Sequence, residues 1–494
     1  MAITYENLKL LPFEHSFTKD IKITKQINEH GVLKYTGIIP QKVKDDYVIS
    51  AKFGTTIQLI QGNKDNEKTI FDGVLVDIKV YSYGEVYYME VLAYTRSYLM
   101  DIQIKKRSFQ DINMQYRTLV NKITKEYSRG DFLYTLDENP PLGGFILQYM
   151  ESDWNFLRRL CSHFNQGLYP SCNIESTSFF FGPPKIDSGE SLDTTVFYAS
   201  KNLQNYKFLS ENYVPGVMDL DFVEYEVESD VDVDLGIKVK FKSIDFHVKK
   251  VEIKMEGGIL KHRYTICTKR GLKQKRLENE KVQGVSIIGE VIDVRRDTVK
   301  VHLGIDKSQD IGEAYWFPYQ AMYASDDGSG WYCMPEKGDA VRVTIPNRNE
   351  KNAFAVSSVS KYMPEEPSQV QSKSTGVTIA NKSLSSGGGQ DRMADPKIRW
   401  IRNPQGMEVK LTPQQVIISA NGRAYIALDQ NGNIIIYGRN EIIIKSEEYI
   451  NIESIKSMFI QAQEDIRIES SLGSYIEMDK DGKIEIKGQQ VSTN

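Results

Sequence analysis

The feature that most constrains this chain is a pair of apolar residues that returns every eight positions through its last eighty or so residues. The pairs are Ile418/Ala420, Ile426/Leu428, Ile434/Ile436, Ile442/Ile444, Ile450/Ile452, Met458/Ile460 and Ile466/Ile468. After a two-residue slip at Ser471–Leu472 come Ile476/Met478 and Ile484/Ile486. Spacing of two puts both side chains of a pair on one face of a strand. Spacing of eight leaves room for one short strand and one turn, and turn formers stand between the pairs at Asn421-Gly422, Asn431-Gly432, Gly438 and Asp481-Gly482. Such a meander has one apolar face, which a single copy of the repeat cannot bury. Three copies wrapped about a common axis would close their faces into a prism with no lateral edge. The expected trimer core is Ile426, Leu428, Ile434, Ile436, Ile442, Ile444, Ile450, Ile452, Met458, Ile460, Ile466, Ile468, Ile476, Met478, Ile484 and Ile486. At about 1.5–3 kcal/mol per buried aliphatic side chain, gross burial reaches a few tens of kcal/mol per chain, an upper bound. A monomeric three-sided β-helix is the alternative, but its coils need roughly twenty residues and eight are too few.

At 494 residues the chain has room for three or four domains. With 62 Lys+Arg against 66 Asp+Glu, net −4, nothing advertises a nucleic-acid or membrane surface. No apolar run approaches the eighteen or so residues of a membrane span, and Met1–Asp20 lacks the basic start and apolar centre of an export signal. The expectation is synthesis in the cytoplasm with no signal peptide. Cys161, Cys172, Cys267 and Cys333 have no metal spacing and are expected to be reduced, mostly buried thiols.

From Ile21 to Met100 the pattern is strands and turns. Phe71–Val80 alternates, a turn falls at Tyr83-Gly84, and Val86–Leu92 alternates again, which predicts a hairpin. Tyr116, Leu119, Val120, Ile123 and Tyr127 make the apolar stripe of an amphipathic helix, stopped by Gly130. A second helix is signalled at 151–164: Ser152 or Asp153 caps it, Leu157, Leu160, Cys161 and Phe164 line one face, and Gly167 ends it. His163 lies in that helix with no second ligand at metal spacing and is read as structural.

These two helices carry a resemblance. YTRSYLMDIQIKKRSFQDI at 94–112 and ESDWNFLRRLCSHFNQGLY at 151–169 resemble the hub region of the VgrG family and of phage tail hub proteins. Arg107, Phe109 and Gln110 match one motif; Glu151, Ser152, Asp153, Phe156, Leu157, Arg159 and Leu160 match the other. Between about Val282 and Lys361 the texture is that of a compact β-barrel. Its segments are Gly289–Val294, Thr298–Leu303, Ala314–Pro318, Gly328–Tyr332, Pro335–Ile345 and Ala353–Ser357. The run of a Gly-rich, Trp-bearing loop followed by Pro335 and Gly338-Asp339 is similar to the OB domain of VgrG and phage spike proteins. An OB barrel can also hold single strands of nucleic acid, but Trp316, Trp331 and Tyr332 are interleaved with Glu313, Asp326, Asp327 and Glu336, so no nucleic-acid binding is expected.

One stretch is read without the family. Glu224, Glu226, Glu228, Asp230, Asp232 and Asp234 alternate with mostly apolar residues, and Lys238, Lys240 and Lys242 follow a loop at Asp234-Leu235-Gly236. Charge pairing predicts a hairpin with Asp232 opposite Lys238, Asp230 opposite Lys240 and Glu228 opposite Lys242.

The expected fold is mainly β. Residues 1–275 form a hub of small β-barrels with two inserted helices near 114–128 and 152–166. An OB-fold barrel follows at 280–362, a linker at 363–395, and an intertwined trimeric β-helix or prism at 396–494. No metal, cofactor or catalytic residue is expected; no H-E-x-x-H, G-x-S-x-G, P-loop or C-x-x-C motif occurs. The last histidine is His302, so the C-terminal repeat has none to hold a metal tip, and a separate capping protein is the expected substitute. The resemblance implies a homotrimeric hub and spike of a contractile phage tail or tailocin, meeting tail tube and baseplate proteins and the target cell envelope. A VgrG spike of a type VI-like machine delivering effectors is the alternative, then a cell-wall-degrading tail enzyme, and a trimeric surface adhesin lacks an export signal.

The phase of the repeat is directly testable. Ile442 and Ile444 point inward and Ile443 outward. Ile444→Asp would bring three carboxylates together at the axis, costing several kcal/mol per buried group. Ile443→Asp should shift stability by no more than about 0.5 kcal/mol. Ile444→Asp is expected to lose the protease resistance of the C-terminal region and Ile443→Asp to keep it; the same outcome for both would refute the phase.

Overall fold

Alternating apolar residues gather twelve strands of the first 270 residues into one sheet. Strand Val32–Ile39 buries Leu33, Tyr35 and Ile39, and strand Phe17–Gln26 buries Ile21 and Ile23 beside it. The computed structural model describes residues 4, 7–62, 67–128, 130–172, 179–192, 194–320, 334–359, 397–403 and 405–492. It divides into two units, Met1–Tyr362 and Met363–Asn494. The Gly-rich, Trp-bearing segment Gly328–Tyr332, Asp326, Asp327, Cys333 and the linker at 363–395 lie outside the described residues.

The twelve-stranded sheet runs Leu8–Leu11, Thr56–Gln61, Lys68–Tyr83, Val86–Thr95, Val32–Ile39, Phe17–Gln26, Ile244–Glu256, Ile259–Cys267, Val223–Ser229 and Phe197–Lys201. Lys238–Phe241 branches off Ile244–Glu256 and carries Asp187–Ser191. The expected hairpin is present as Lys68–Tyr83 against Val86–Thr95, closed at Tyr83 opposite Val86 with Gly84 at φ +62°.

The acidic hairpin is not. Val223–Ser229 pairs with Ile259–Cys267 and Phe197–Lys201, and Lys238–Phe241 pairs with Ile244–Glu256 and Asp187–Ser191. Glu228 meets Lys261 at 2.7 Å, Asp232 meets Lys68 at 2.5 Å and Asp234 meets Lys25 at 3.0 Å, while Lys238 meets Asp187 and Asp245, each at 2.9 Å. Charge pairing holds, but not with the expected partners: the acids take lysines distant in sequence, and Lys238 takes Asp187 and the nearby Asp245. The physical reason is packing: Val233 and Leu235 are buried in the sheet's core, so 230–237 crosses it as a loop instead of extending a hairpin.

Both expected helices form, Tyr116–Thr124 and Asp153–Ser162, the second with the Ser152 hydroxyl accepting from Asn155 N at 3.2 Å. Strands Ser286–Arg295, Thr298–Leu303, Trp316–Gln320, Phe354–Val359 and Ala340–Thr344 close a barrel in that order. Val291, Val299, Val301, Phe317, Val341 and Val343 fill it. Cys161, Cys172 and Cys267 are buried thiols.

In the second unit, Arg399–Arg402, Met407–Leu411, Gln415–Ala420, Ala424–Asp429 and Ile434–Gly438 form an antiparallel meander, and Ile466–Glu469, Tyr475–Met478 and Ile484–Lys487 form another. The slip at Ser471–Leu472 is absorbed in a turn where Ser470 N reaches Ser474 O at 2.8 Å and Gly473 sits at φ +78°. Between the meanders the sequence pattern continues but the strands do not. Ile442/Ile444, Ile450/Ile452 and Met458/Ile460 were expected in strands, yet 440–465 contains none and makes no backbone-to-backbone hydrogen bond among the described residues. A strand needs a partner strand, and this segment has none of its own.

Gly236 tests the loop that replaces the hairpin. It sits at φ +80°, and an added Cβ would fall 2.4 Å from Pro184 Cδ and 2.8 Å from the Tyr169 ring. Gly84, at φ +62°, has nothing within 4 Å. Backbone strain of about 1–3 kcal/mol applies to both, so in urea melts Gly236→Ala is expected to cost clearly more than Gly84→Ala; equal losses would contradict the packing.

Candidate functional site

Two places in this chain concentrate features beyond ordinary packing: a joint inside the first unit, and the open face of the repeat. The joint begins with a strand shared between two cores. In Ile146–Ser152, Ile146 packs with the two helices, whereas Leu147, with Phe145 just before the strand, belongs to the core of the barrel. Period-two alternation thus inserts one strand between two hydrophobic cores. Phe145 meets Phe317 of the barrel edge-on at 5.0 Å.

Polar residues fix the same seam. Ile104–Phe109 pairs antiparallel with Ile146–Ser152, placing Arg107 opposite Gln148. Asp153, buried at the start of its helix, then receives Arg107 Nη2 at 2.5 Å, Lys105 Nζ at 2.7 Å, Tyr127 OH at 2.6 Å and Gln148 Nε2 at 2.8 Å. Burial alone would raise its carboxyl; Arg107 and these donors outweigh burial and hold it below the usual aspartate value. Arg159, also buried, binds Glu151 at 3.0 Å and Glu350 at 2.6 Å and donates to Leu147 O at 2.9 Å. Gln110 donates to Val301 O at 3.1 Å and accepts from Tyr315 N at 3.1 Å, while Asp306 accepts from Ser108 N at 2.8 Å and Ser108 Oγ at 2.6 Å. Burial raises both Asp306, against Ser108, and Glu151, against Arg159. Phe109 stacks on Phe156 with centroids 5.5 Å apart.

The residues of the two sequence motifs, Arg107, Phe109, Gln110, Glu151, Ser152, Asp153, Phe156 and Arg159, therefore meet at one seam. Their partners Asp306 and Glu350 carry no sequence signal, because the pairing spans 198 and 191 residues. His163 is held by Tyr116 OH at 2.8 Å; burial, then Arg159, lower its pKa to about 3, so it stays neutral and structural. Trp316 lies under Lys300 Nζ at 5.0 Å, and Trp331 and Tyr332 lie outside the described residues.

The second place is the repeat. Ladder register aligns apolar residues of the repeat in rows: Ile418, Ile426 and Ile436; Leu428 and Ile434, joined by Val416 where Ala420 was expected; Ile466, Met478 and Ile484; Ile468, Ile476 and Ile486. In the single chain these residues are open. Ile434 is 67% exposed, Ile444 65%, Ile452 69% and Ile460 67%, and Ile442, Ile450 and Met458 are about half exposed. Ala427, on the opposite face of its strand, is buried. Two turns of identical form close the rows: Asp429 accepts from Asn431 N and Asn433 N, and Asp479 from Asp481 N and Lys483 N.

Comparison with known proteins follows this geometry. Residues 287–359 match the family described as Type VI secretion system/phage-baseplate injector OB domain. No curated protein matches the chain. Among solved structures, the fold is similar to the Escherichia coli c3393 protein, a type VI secretion component described as similar to T4 bacteriophage tail proteins gp27 and gp5. The TM-score is 0.51 at 13% identity, covering 72% of this chain and 99% of that one. It is also similar to a chain of the lidded Francisella PdpA–VgrG complex, with TM-score 0.51 at 9% identity, covering 87% and 79%. The barrel thus matches the injector OB domain family, and the fold of the chain is similar to that of the c3393 protein and of the VgrG complex chain.

The seam predicts an acid response. An aspartate whose value is lowered in the folded state stabilises above its unfolded value, about 3.9, and that contribution is lost as pH falls through the lowered one. Glu151 and Asp306, being raised, act in the opposite sense, so acid relieves their burial. Asp153→Asn is expected to cost about 3–5 kcal/mol at neutral pH, having left Arg107 and Lys105 without their buried partner, and to flatten the loss of stability below pH 4. Urea melts from pH 7 to pH 2.5 read this; an unchanged acid limb in the variant would contradict it.

Proposed function

We propose that this chain is the structural hub and membrane-puncturing spike of a contractile phage tail-like particle, working mechanically as a homotrimer. The observation that carries the reading is the stretch 440–465. It keeps the octad pattern, exposes its apolar pairs and leaves its backbone without a partner among the described residues. Backbone N–H and C=O groups in a dry core must be paired, so strands from two further copies would supply the ladder as well as the apolar cover. The injector OB domain match favours a particle of this kind.

In this reading the hub meets tail tube and baseplate proteins, a separate protein caps the tip, and contraction drives the spike against the target envelope. A phage tail, a tailocin and a type VI-like machine share this architecture; we favour the tail-like particle because the chain shows no sequence motif for an effector or a cell-wall enzyme. The work is mechanical, with neither metal nor catalytic residue required. Native mass spectrometry of the full chain at micromolar concentration is expected to give three copies. A purely monomeric spectrum would refute the reading, and stoichiometric iron or zinc in the trimer would overturn its metal-free part.

A further inference from the structure

The sheet of the first unit carries a cleft that neither the seam nor the repeat uses. It holds about 570 Å³ between helix Leu203–Asn212 and the sheet. The helix is capped by Asn202, whose side chain accepts from Asn205 N at 2.9 Å, and it stands on a small core of its own, Leu209, Val214, Val217 and Phe222. Ile27, Leu209 and Phe222 give the cleft an apolar floor, and Phe208, 49% exposed, overhangs it.

The rim is cationic. Lys249, Lys250, Lys273 and Lys275 line it with Glu224 as the one carboxylate. Glu224 is taken by Lys249 at 2.5 Å, and among the described residues Lys250, Lys273 and Lys275 form no ion pair. Lys273 and Lys275 belong to the segment 269–276, where Lys269, Arg270, Lys273, Lys275 and Arg276 supply five charges in eight residues of a chain whose net charge is −4. Several other lysines of the same sheet are neutralised, as at Lys25–Asp234, Lys68–Asp232 and Lys261–Glu228. Here the charge is left over.

We infer that this cleft is a docking site for an acidic segment of another protein, one that places a leucine or aromatic side chain on the floor and carboxylates against Lys250, Lys273 and Lys275. Excess cations around an apolar floor fit an anion with a hydrophobic anchor, and complementary charge steers such a segment into place. A nucleic acid fits less well: stacking needs a series of exposed rings, and Phe208 is the one exposed ring among the lining residues. The inference does not depend on the trimer.

The test selects a displayed library of random dodecapeptides on the immobilised full chain, then measures the purified winners by fluorescence anisotropy. Winners are expected to carry Asp or Glu flanking Leu, Phe or Trp, and to bind at least tenfold more weakly to K250E/K273E. A K79E/K337E control makes the same net charge change outside the cleft and should bind as wild type. K275E, at an exposed position, gives a second reading if the double variant does not fold. Four results would overturn the inference: no winner, winners without acidic bias, winners indifferent to all the cleft variants, or a dT12 oligonucleotide that competes as well as the peptides do. A change in copy number in K250E/K273E would assign the cleft to another copy of this chain and overturn it as well.

Discussion

The constraint on which the C-terminal half of the account rests is the need of a buried backbone for hydrogen-bond partners. Where the chain folds back on itself, in Arg399–Gly438 and Ile466–Lys487, each strand has a neighbour in its own chain. Across 440–465 it has none among the described residues, although the spacing of the apolar pairs is unbroken. Apolar pairs alone would be satisfied by any greasy cover. Unpaired amides are more demanding, because only another backbone at strand spacing satisfies a whole row of them. In the proposed reading the two requirements together favour interleaved copies over a simple docked partner, and threefold closure would leave no edge open to further chains.

The first unit meets a different demand, joining a sheet to a barrel without a flexible hinge. It does so by letting one strand serve two cores and by locking the seam with buried ions. Asp153 receives four donors and Arg159 reaches two carboxylates and a carbonyl. Buried charges of this kind are weak evidence for net stability, since well-packed apolar residues often serve as well. Their use here is geometric: a guanidinium between Glu151 and Glu350 accepts one relative position of the two parts and penalises others.

How much could be read beforehand follows from which interactions are local. The octad rows were legible because strand periodicity and turn residues are local properties, and the ladders place Ile418, Ile426 and Ile436 side by side as the spacing requires. The helices at 116–124 and 153–162 and the Ser152 cap were legible for the same reason. The acidic hairpin failed because charge alternation does not say which lysines are near; Lys25, Lys68 and Lys261 come from strands far away in sequence. The seam was half legible: its motif residues could be picked out, but Asp306 and Glu350 become partners only through the fold. The strands expected at 442–460 are absent, because octad spacing marks where a strand could lie and does not supply the neighbour it would pair with.

Hydrogen–deuterium exchange of the full-length assembled protein addresses this point most directly. If neighbouring copies complete the ladder, the amides of 440–465 will be protected as strongly as those of the Gln415–Ala420 and Ala424–Asp429 strands. Exchange across 440–465 at the rate of an open chain, with the flanking meanders protected, would contradict the interleaved prism and leave the apolar rows in need of another explanation.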